Sequence, residues 1–221
     1  MLTQECKNAM FPTVEDFENI YIKNMFKTEK EYDFGKWYTN GNKTTYIVTL
    51  YENMLATGNS DNIAQEYFTL IQKDDGNYEI NVNSYIYGEN RNIETTERNI
   101  TFKIGQVDVY NEYEEAQIIV TNNTSKKICL TGNKYNKNIY LENTSGTIYS
   151  SIYSEFDNDE IVIQPNTTRN FKVRFNKTYG LNNKSTQLVL SDVILDYDGY
   201  LKAEDKTNYW NRTEIEVEYE K

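Results

Sequence analysis

The segment Ile161–Phe175 constrains the fold of this chain more than any other part of the sequence. It contains two short stretches rich in β-branched and aromatic residues, Ile161–Gln164 and Asn170–Phe175, and the dipeptide Pro165-Asn166 lies between them. Because proline presets φ for a turn and asparagine can hydrogen-bond its own backbone, the dipeptide predicts a turn that joins two strands. Short strands joined by such turns are typical of proteins that are mainly β.

The same pattern of short strands continues from residue 100 to the end of the sequence. Turn-forming residues recur about every 8–12 residues, which is the spacing expected of a Greek-key β-sandwich. The predicted strands are Thr101–Ile104, Val107–Tyr110, Ala116–Thr121, Lys127–Thr131, Asn138–Leu141, Thr147–Tyr153, Glu160–Gln164, Asn170–Phe175, Gln187–Val193 and Thr213–Tyr219.

A helix and three longer strands are predicted before residue 88. Thr13 is the expected N-cap of the helix, and apolar residues follow it at helical spacing, with Val14, Ile20 and Tyr21 on one stripe. The dipeptide Asp75-Gly76 predicts a hairpin between the second and third strands, because glycine accepts the positive φ of a tight turn. The predicted strands are Thr44–Met54, Ile63–Lys73 and Asn77–Tyr87.

Three parts of the sequence are predicted to be irregular. Cys6 is expected in a frayed leader, and Gly35 is expected to mark a turn. The segment 88–99 is polar and has no apolar periodicity, so it is predicted to separate two domains, at residues 1–92 and 98–221. The predicted fold class is therefore mainly β: an α+β part with a helix and a curved antiparallel sheet, followed by an all-β part.

The composition excludes several classes of function. The chain has no histidine, which removes Ser-His-Asp hydrolysis, Cys-His proteolysis and His-ligated metal sites. Cys6 and Cys129 are the only cysteines, and two thiols alone cannot hold a structural zinc ion. The net charge of −11 would be repelled by a phosphate backbone, so nucleic acid is not expected as a partner. Neither an enzymatic activity nor a cofactor is predicted.

Four aromatic residues are candidates for a ligand-binding site: Trp37, Tyr46, Tyr85 and Tyr87. Trp37 precedes the first long strand, and Tyr85 and Tyr87 end the third. Aromatic rings stack on sugars and peptides while neighbouring amides hydrogen-bond, so the set suits a glycan, a small molecule or a peptide. The sequence leaves open the alternative that Trp37 closes the core of the first domain and that the tyrosines cover the helix.

Asp196, Asp198 and Asp205 are candidates for a calcium site, because calcium binds several hard oxygen ligands from one compact loop. Ile194 stands where the first aspartate of such a loop is expected, so the ligand set is incomplete. The acidic run 157–160 is a second candidate of the same kind. A simple turn explains the same residues, and no metal is predicted.

The two predicted domains resemble known folds. The helix and meander of residues 11–90 resemble a cystatin-like or NTF2-like α+β roll. Residues 98–221 look like the immunoglobulin-like accessory domains of surface lipoproteins and membrane-anchored proteins of low-GC Gram-positive bacteria. The resemblance implies an immunoglobulin-like Greek-key sandwich and an extracellular or cell-surface location, with membrane attachment only through an anchor that this sequence does not show. The segments that carry it are Ala116–Asn123, Gly146–Tyr149, Ile163–Asn166, Phe171–Phe175 and Leu188–Asp192.

These observations support two hypotheses about function, and a third that is weaker. The first is a non-catalytic extracytoplasmic protein that contacts another envelope or surface protein. The second is a protein that binds a small molecule or carbohydrate in a pocket or on an aromatic surface of the N-terminal roll, using Trp37, Tyr46, Tyr85 and Tyr87. An enzyme that works through carboxylates alone is the third hypothesis.

Overall fold

The computed structural model describes residues 1–58, 62–130, 138–154, 161–176 and 185–220. As the sequence predicts, the fold is mainly β, with antiparallel sheets and a few short helices. None of the described helices is long and apolar enough to cross a membrane. The chain divides into two compact units: unit 1 comprises Met1–Gly88 and Asp108–Glu112, and unit 2 comprises Glu89–Val107 and Tyr113–Lys221.

Unit 1 begins with a helix that the sequence pattern does not predict, α1 (Gln4–Met10). The Thr3 hydroxyl caps this helix by accepting a hydrogen bond from the backbone N–H of Cys6 at 3.1 Å. The backbone N–H of Thr3 donates to the carbonyl of Ile80 at 3.3 Å, which ties the segment to the sheet of the same unit. The prediction of a frayed leader is therefore wrong, since Cys6 is fully buried.

The predicted helix after Thr13 is confirmed. Thr13 and Asp16 form a capping box, in which each side chain accepts a hydrogen bond from the backbone N–H of the other. Tyr21 is buried, but Val14 and Ile20 of the predicted apolar stripe are exposed. The helix consists of α2 (Val14–Asp16), a π-helical stretch (Phe17–Ile22) and α3 (Lys23–Met25).

A four-stranded antiparallel sheet completes unit 1. Its strands, in the order in which they pair, are β1 (Lys30–Asn40), β2 (Lys43–Glu52), β3 (Asn62–Gln72) and β4 (Tyr78–Asn81), and a short helix, α4 (Met54–Thr57), follows β2. The predicted turn at Gly35 is wrong, because Gly35 lies within β1 and pairs with Ile47. The hairpin at Asp75-Gly76 is confirmed, and Gly76 has the expected positive φ, +82°.

The third predicted strand is interrupted. β4 ends at Asn81, and Asn83 and Ser84 adopt positive φ angles of 56° and 65°. A left-handed backbone cannot continue a pleated strand, so a new strand, β5 (Tyr85–Glu97), begins after the break. Most of the segment 88–99 belongs to β5, so it is not the irregular linker that its polar sequence predicts. The two compact units nevertheless divide between Gly88 and Glu89, inside that segment.

The remaining elements are β6 (Ile100–Tyr110), β7 (Tyr113–Asn122), β8 (Ile128–Cys129), β9 (Ile139–Asn143), β10 (Ile148–Ser154), β11 (Val162–Ile163), β12 (Thr167–Asn176), β13 (Ser185–Ile194), α5 (Tyr197–Lys202) and β14 (Arg212–Glu218). The strands from β7 to β14 have antiparallel neighbours: β13 lies between β9 and β14, and β7 pairs with β12 along its full length. β10 pairs with β9 through its first half and with β12 through its second half.

The turn at Pro165-Asn166 joins two strands, as predicted. Asn166 has a φ of 53°, and β11 and β12 lie on either side of it. The two strands do not pair with each other: β11 pairs with β8, and β12 pairs with β7. Phe171, Val173 and Phe175 form the buried face of β12, as their alternation predicts.

Candidate functional site

An exposed group of aromatic side chains on unit 1 is the strongest candidate for a functional surface. Tyr32 and Phe34 lie two residues apart on β1, so they project from the same face of the strand. They are 64% and 67% exposed. Their ring centroids are 6.4 Å apart, and the ring of Tyr46 on β2 lies 6.1 Å from that of Phe34. We call Tyr32, Phe34 and Tyr46 the aromatic patch.

The aromatic patch lies at the edge of the sheet of unit 1. Among the described strands, β2 alone pairs with β1. Phe34 stands opposite Val48, and the ion pair between Lys30 Nζ and Glu52 Oε1, at 2.9 Å, joins the ends of the two strands. An edge strand offers a partner its backbone donors and acceptors, and here it offers aromatic surface as well.

Trp37 lies at a β-bulge, and its ring belongs to the other face of the sheet. The pairing of β1 with β2 shifts register between Lys36 and Tyr38, with Trp37 between them. The Trp37 ring is in edge contact with that of Tyr67, at a centroid distance of 5.9 Å. Tyr67 pairs with the residue that follows Tyr46, so Tyr67 and Tyr46 project from opposite faces. The structure therefore separates Trp37 from Tyr46.

Tyr85 is a core residue of unit 1. Its hydroxyl donates to Asp108 Oδ1 at 3.1 Å, and its ring packs edge-on against Tyr110 at 5.4 Å. Burial, followed by the negative charge of Asp108, raises the pKa of Tyr85 well above its usual value. Tyr87 is half-buried, with the ammonium of Lys43 5.3 Å from its ring centroid. The four aromatic residues predicted to bind a ligand thus do not form one common lining.

Asp196, the first of the predicted calcium ligands, is engaged in local structure. Its Oδ1 caps α5 by accepting a hydrogen bond from the backbone N–H of Gly199 at 3.0 Å, and its Oδ2 lies 2.5 Å from Lys126 Nζ. The Lys126 hydrogen bond, and then that of Gly199, hold the pKa of Asp196 below its usual range. Its carboxylate oxygens are therefore already used.

The other two predicted calcium ligands are engaged in the same way. Asp198 pairs with Lys127 Nζ at 3.0 Å, and Asp205 accepts hydrogen bonds from the backbone N–H groups of residues 207 and 208. In the part of the chain that the structure describes, no three acidic or thiol side chains come together in a way that could hold a metal ion. The acidic run 157–160 lies outside the described residues.

Glu66 on β3 is a buried carboxyl. Burial raises its pKa, and its Oε2 has no hydrogen-bond partner within the described ranges. The hydroxyl of Tyr21 is buried and unpartnered there too, and its pKa is raised by burial and then by the charge of Glu66. A raised carboxyl pKa can mark a general acid, but such an acid must reach a substrate. Both side chains are buried, so they are part of the core.

Tyr32 and Phe34 were not predicted as functional residues. The expected turn at Gly35 hid the strand that carries them. The signal is nevertheless in the sequence, where Tyr32 and Phe34 alternate with Glu31 and Asp33. A period of two residues indicates a strand with one aromatic face.

No protein-family model, curated protein or solved structure matches this chain. The surfaces of the two units are therefore the basis for a functional proposal.

Proposed function

We propose that this chain is a non-catalytic protein of the cell envelope that binds another envelope or surface protein through the aromatic patch. The observation that carries the proposal is the exposure of Tyr32 and Phe34, side by side on an edge strand. Interface cores are enriched in aromatic side chains and depleted in charged ones. Full burial of a Phe-sized side chain stabilises a complex by about 1.5–3 kcal/mol.

The edge position of β1 favours an extended segment of the partner as the contacting element. A peptide that adds to a sheet edge gains main-chain hydrogen bonds, and alternate side chains then determine specificity. Tyr32 and Phe34, with their two-residue spacing, match the alternate side chains of such a strand. The net charge of −11 favours a partner with a basic surface, because opposite charges accelerate association.

We also infer that unit 2 is an immunoglobulin-like Greek-key sandwich. Three pairings support it: β7 with β12, β9 with β13, and β13 with β14. In an immunoglobulin-like sandwich the corresponding strands belong to two facing sheets. β10 pairs with β9 and with β12, as expected of a strand that passes from one sheet to the other. The extracytoplasmic location is supported by the family resemblance of residues 98–221.

The test is a comparison of the double variant Tyr32→Ser/Phe34→Ser with the control Trp210→Ser. Trp210 is 82% exposed and belongs to unit 2, so the control removes a similar exposed aromatic ring elsewhere. We expect the wild type and the control to capture the same protein from a cell-envelope extract, and the double variant to lose it. With the purified partner, the Kd of the double variant should rise about 100-fold.

Circular dichroism shows whether the double variant is folded. Equal capture by a folded double variant would refute the role of the aromatic patch. A partner found in the cytosolic fraction, or a chain that fractionates with the cytosol, would refute the assignment to the envelope.

A further inference from the structure

Unit 2 contains a polar pocket of about 520 Å³, wide open to solvent, beside the paired strands β13 and β14. Its volume is within the range of small-molecule sites, about 300–1,000 Å³. Every side chain that lines it is polar; the lining includes the charged groups of Asp192, Arg212 and Glu214 and the hydroxyls of Ser191, Thr207 and Thr213.

A β-bulge shapes this pocket. The pairing of β13 with β14 shifts register between Leu190 and Val193, so that residues 191 and 192 of β13 oppose only residue 214 of β14. A bulge redirects side chains that a regular ladder would keep in line, and bulges are over-represented beside functional sites. Here it gathers side chains of both strands around one open pocket.

The guanidinium of Arg212 lines the pocket, and not all of its N–H groups have a hydrogen-bond partner among the described residues. Its Nη1 lies 3.3 Å from Asp192 Oδ1 and 3.4 Å from Oδ2, and its Nη2 donates to the carbonyl of Lys206 at 2.8 Å. The guanidinium also lies 5.4 Å from the ring centroid of Tyr200. Its Nε has no partner among the residues whose positions are described.

The carboxylate of Asp192 is held by long contacts to Arg212. Tight charged hydrogen bonds measure about 2.7–2.9 Å, so its contact with Arg212 is loose. Burial raises the pKa of Asp192, and the opposing effect of Arg212 does not cancel it. A ligand hydroxyl that donates a hydrogen bond to this carboxylate would stabilise its ionised form, which burial disfavours.

The lining selects among classes of ligand. An apolar ligand would desolvate polar groups without replacing their hydrogen bonds. An anion would be repelled by the carboxylates of Asp192 and Glu214, and the single guanidinium of the lining already pairs with Asp192. A cation would be repelled by the guanidinium of Arg212. A neutral ligand with several hydroxyl groups can donate to the carboxylates and accept from the guanidinium and hydroxyls at the same time.

We propose that this pocket binds a sugar residue, either as a free saccharide or as a unit of a glycan. The proposal is independent of the aromatic patch, because it rests on other residues of the other unit. It assigns Asp192 and Glu214 as acceptors for sugar hydroxyls and Arg212 as a donor to sugar oxygens.

The experiment is an NMR titration of the ¹⁵N-labelled full-length protein with D-glucose, N-acetyl-D-glucosamine and cellobiose. We expect at least one sugar to shift the amide signals of Ser191, Asp192 and Glu214 with a dissociation constant near or below the millimolar range. Co-sedimentation with cellulose and with chitin separates recognition of a polymer from recognition of the free saccharide. If no sugar shifts these signals and no polymer retains the protein, the proposal is wrong. Shifts caused by acetate or phosphate instead of sugars would also overturn it.

Two glutamates of β14 provide a matched pair of variants. Glu214→Gln removes a charge that lines the pocket, whereas Glu218→Gln removes the same charge from an exposed position about 13 Å further along the strand. We expect Glu214→Gln and Asp192→Asn to raise the Kd about tenfold or more, and Glu218→Gln to leave it unchanged. An equal effect of both glutamate variants would show a response to net charge alone and would contradict the proposal. Since Glu214 is exposed, its variant should remain folded.

Discussion

Replacement of Glu115 by glutamine should destabilise unit 2 by about 2–3 kcal/mol at neutral pH. Glu115 lies on β7 and is 6% exposed. Its carboxylate accepts hydrogen bonds from two cations of β12, Lys172 Nζ at 2.7 Å and Arg174 Nε at 2.6 Å. Each such bond contributes about 1.5–3 kcal/mol. The expected loss is smaller than the sum of the two hydrogen bonds, because Lys172 and Arg174 are partly exposed and water can solvate them once the carboxylate is lost.

The effect should depend on pH. Burial raises the pKa of Glu115, but the hydrogen bonds from Lys172 and Arg174 outweigh burial and hold that pKa below its usual range. The ionised carboxylate therefore stabilises the folded state, fully so above the unfolded pKa of about 4.3. This stabilisation is lost as the pH falls through the lower pKa of the folded state. The difference between wild type and Glu115→Gln should accordingly shrink below about pH 4.

Urea unfolding followed by circular dichroism measures the free energy of unfolding at each pH. Hydrogen exchange of peptides from β7 and β12 assigns the loss to the strands that carry the three side chains. Glu218→Gln is the control, because Glu218 is exposed and its replacement should change stability by about 0.5 kcal/mol or less. Equal destabilisation by the two variants, or a loss that does not vary with pH, would refute the assigned role of Glu115.

Two further predictions concern the buried thiols and the turn at Pro165-Asn166. Cys6 and Cys129 are buried and form no disulfide, and burial raises the pKa of Cys6. A thiol reagent should therefore label neither cysteine in the native protein and both in urea. Rapid labelling of the native protein would contradict this prediction. Asn166→Val should lower the free energy of unfolding, measured in urea, by about 1–2 kcal/mol, because a β-branched residue disfavours a φ of 53°. Asn166→Gly should leave that free energy nearly unchanged. Equal stabilities of the two variants would show that the turn does not require this conformation.

The elements that the sequence predicts correctly are those with local signals. The N-cap at Thr13, and the turns at Gly76 and Asn166, depend on residues close together in the chain. The alternation in β12 also survives, because one face of that strand is buried. Independent folding of residues 1–92 and 98–221 stays a prediction.

The missed elements depend on contacts distant in sequence. β1 is exposed along most of its length, so no buried face extends its two-residue period beyond the short stretch 31–34. α1 is short, and its only buried residue is Cys6. An isolated helix of this length is marginal, so packing stabilises it more than propensity does.

The aromatic surface of unit 1 was predictable in residue type but not in arrangement. An exposed aromatic surface was expected on unit 1, but the register of β1 on β2 determines that Phe34 contacts Tyr46, and a bulge separates Trp37 from them. No sequence pattern predicts the polar pocket of unit 2, because residues 191 and 192 form a bulge only in relation to their partner strand.

The two proposed surfaces rely on different physical interactions and can be tested against each other. Burial of aromatic rings would stabilise the protein complex, whereas directed hydrogen bonds would hold the sugar. Tyr32→Ser/Phe34→Ser should therefore retain sugar binding, and Glu214→Gln should retain the protein partner. Loss of both activities in one folded variant would contradict their separation. It would mean that the two surfaces do not act independently.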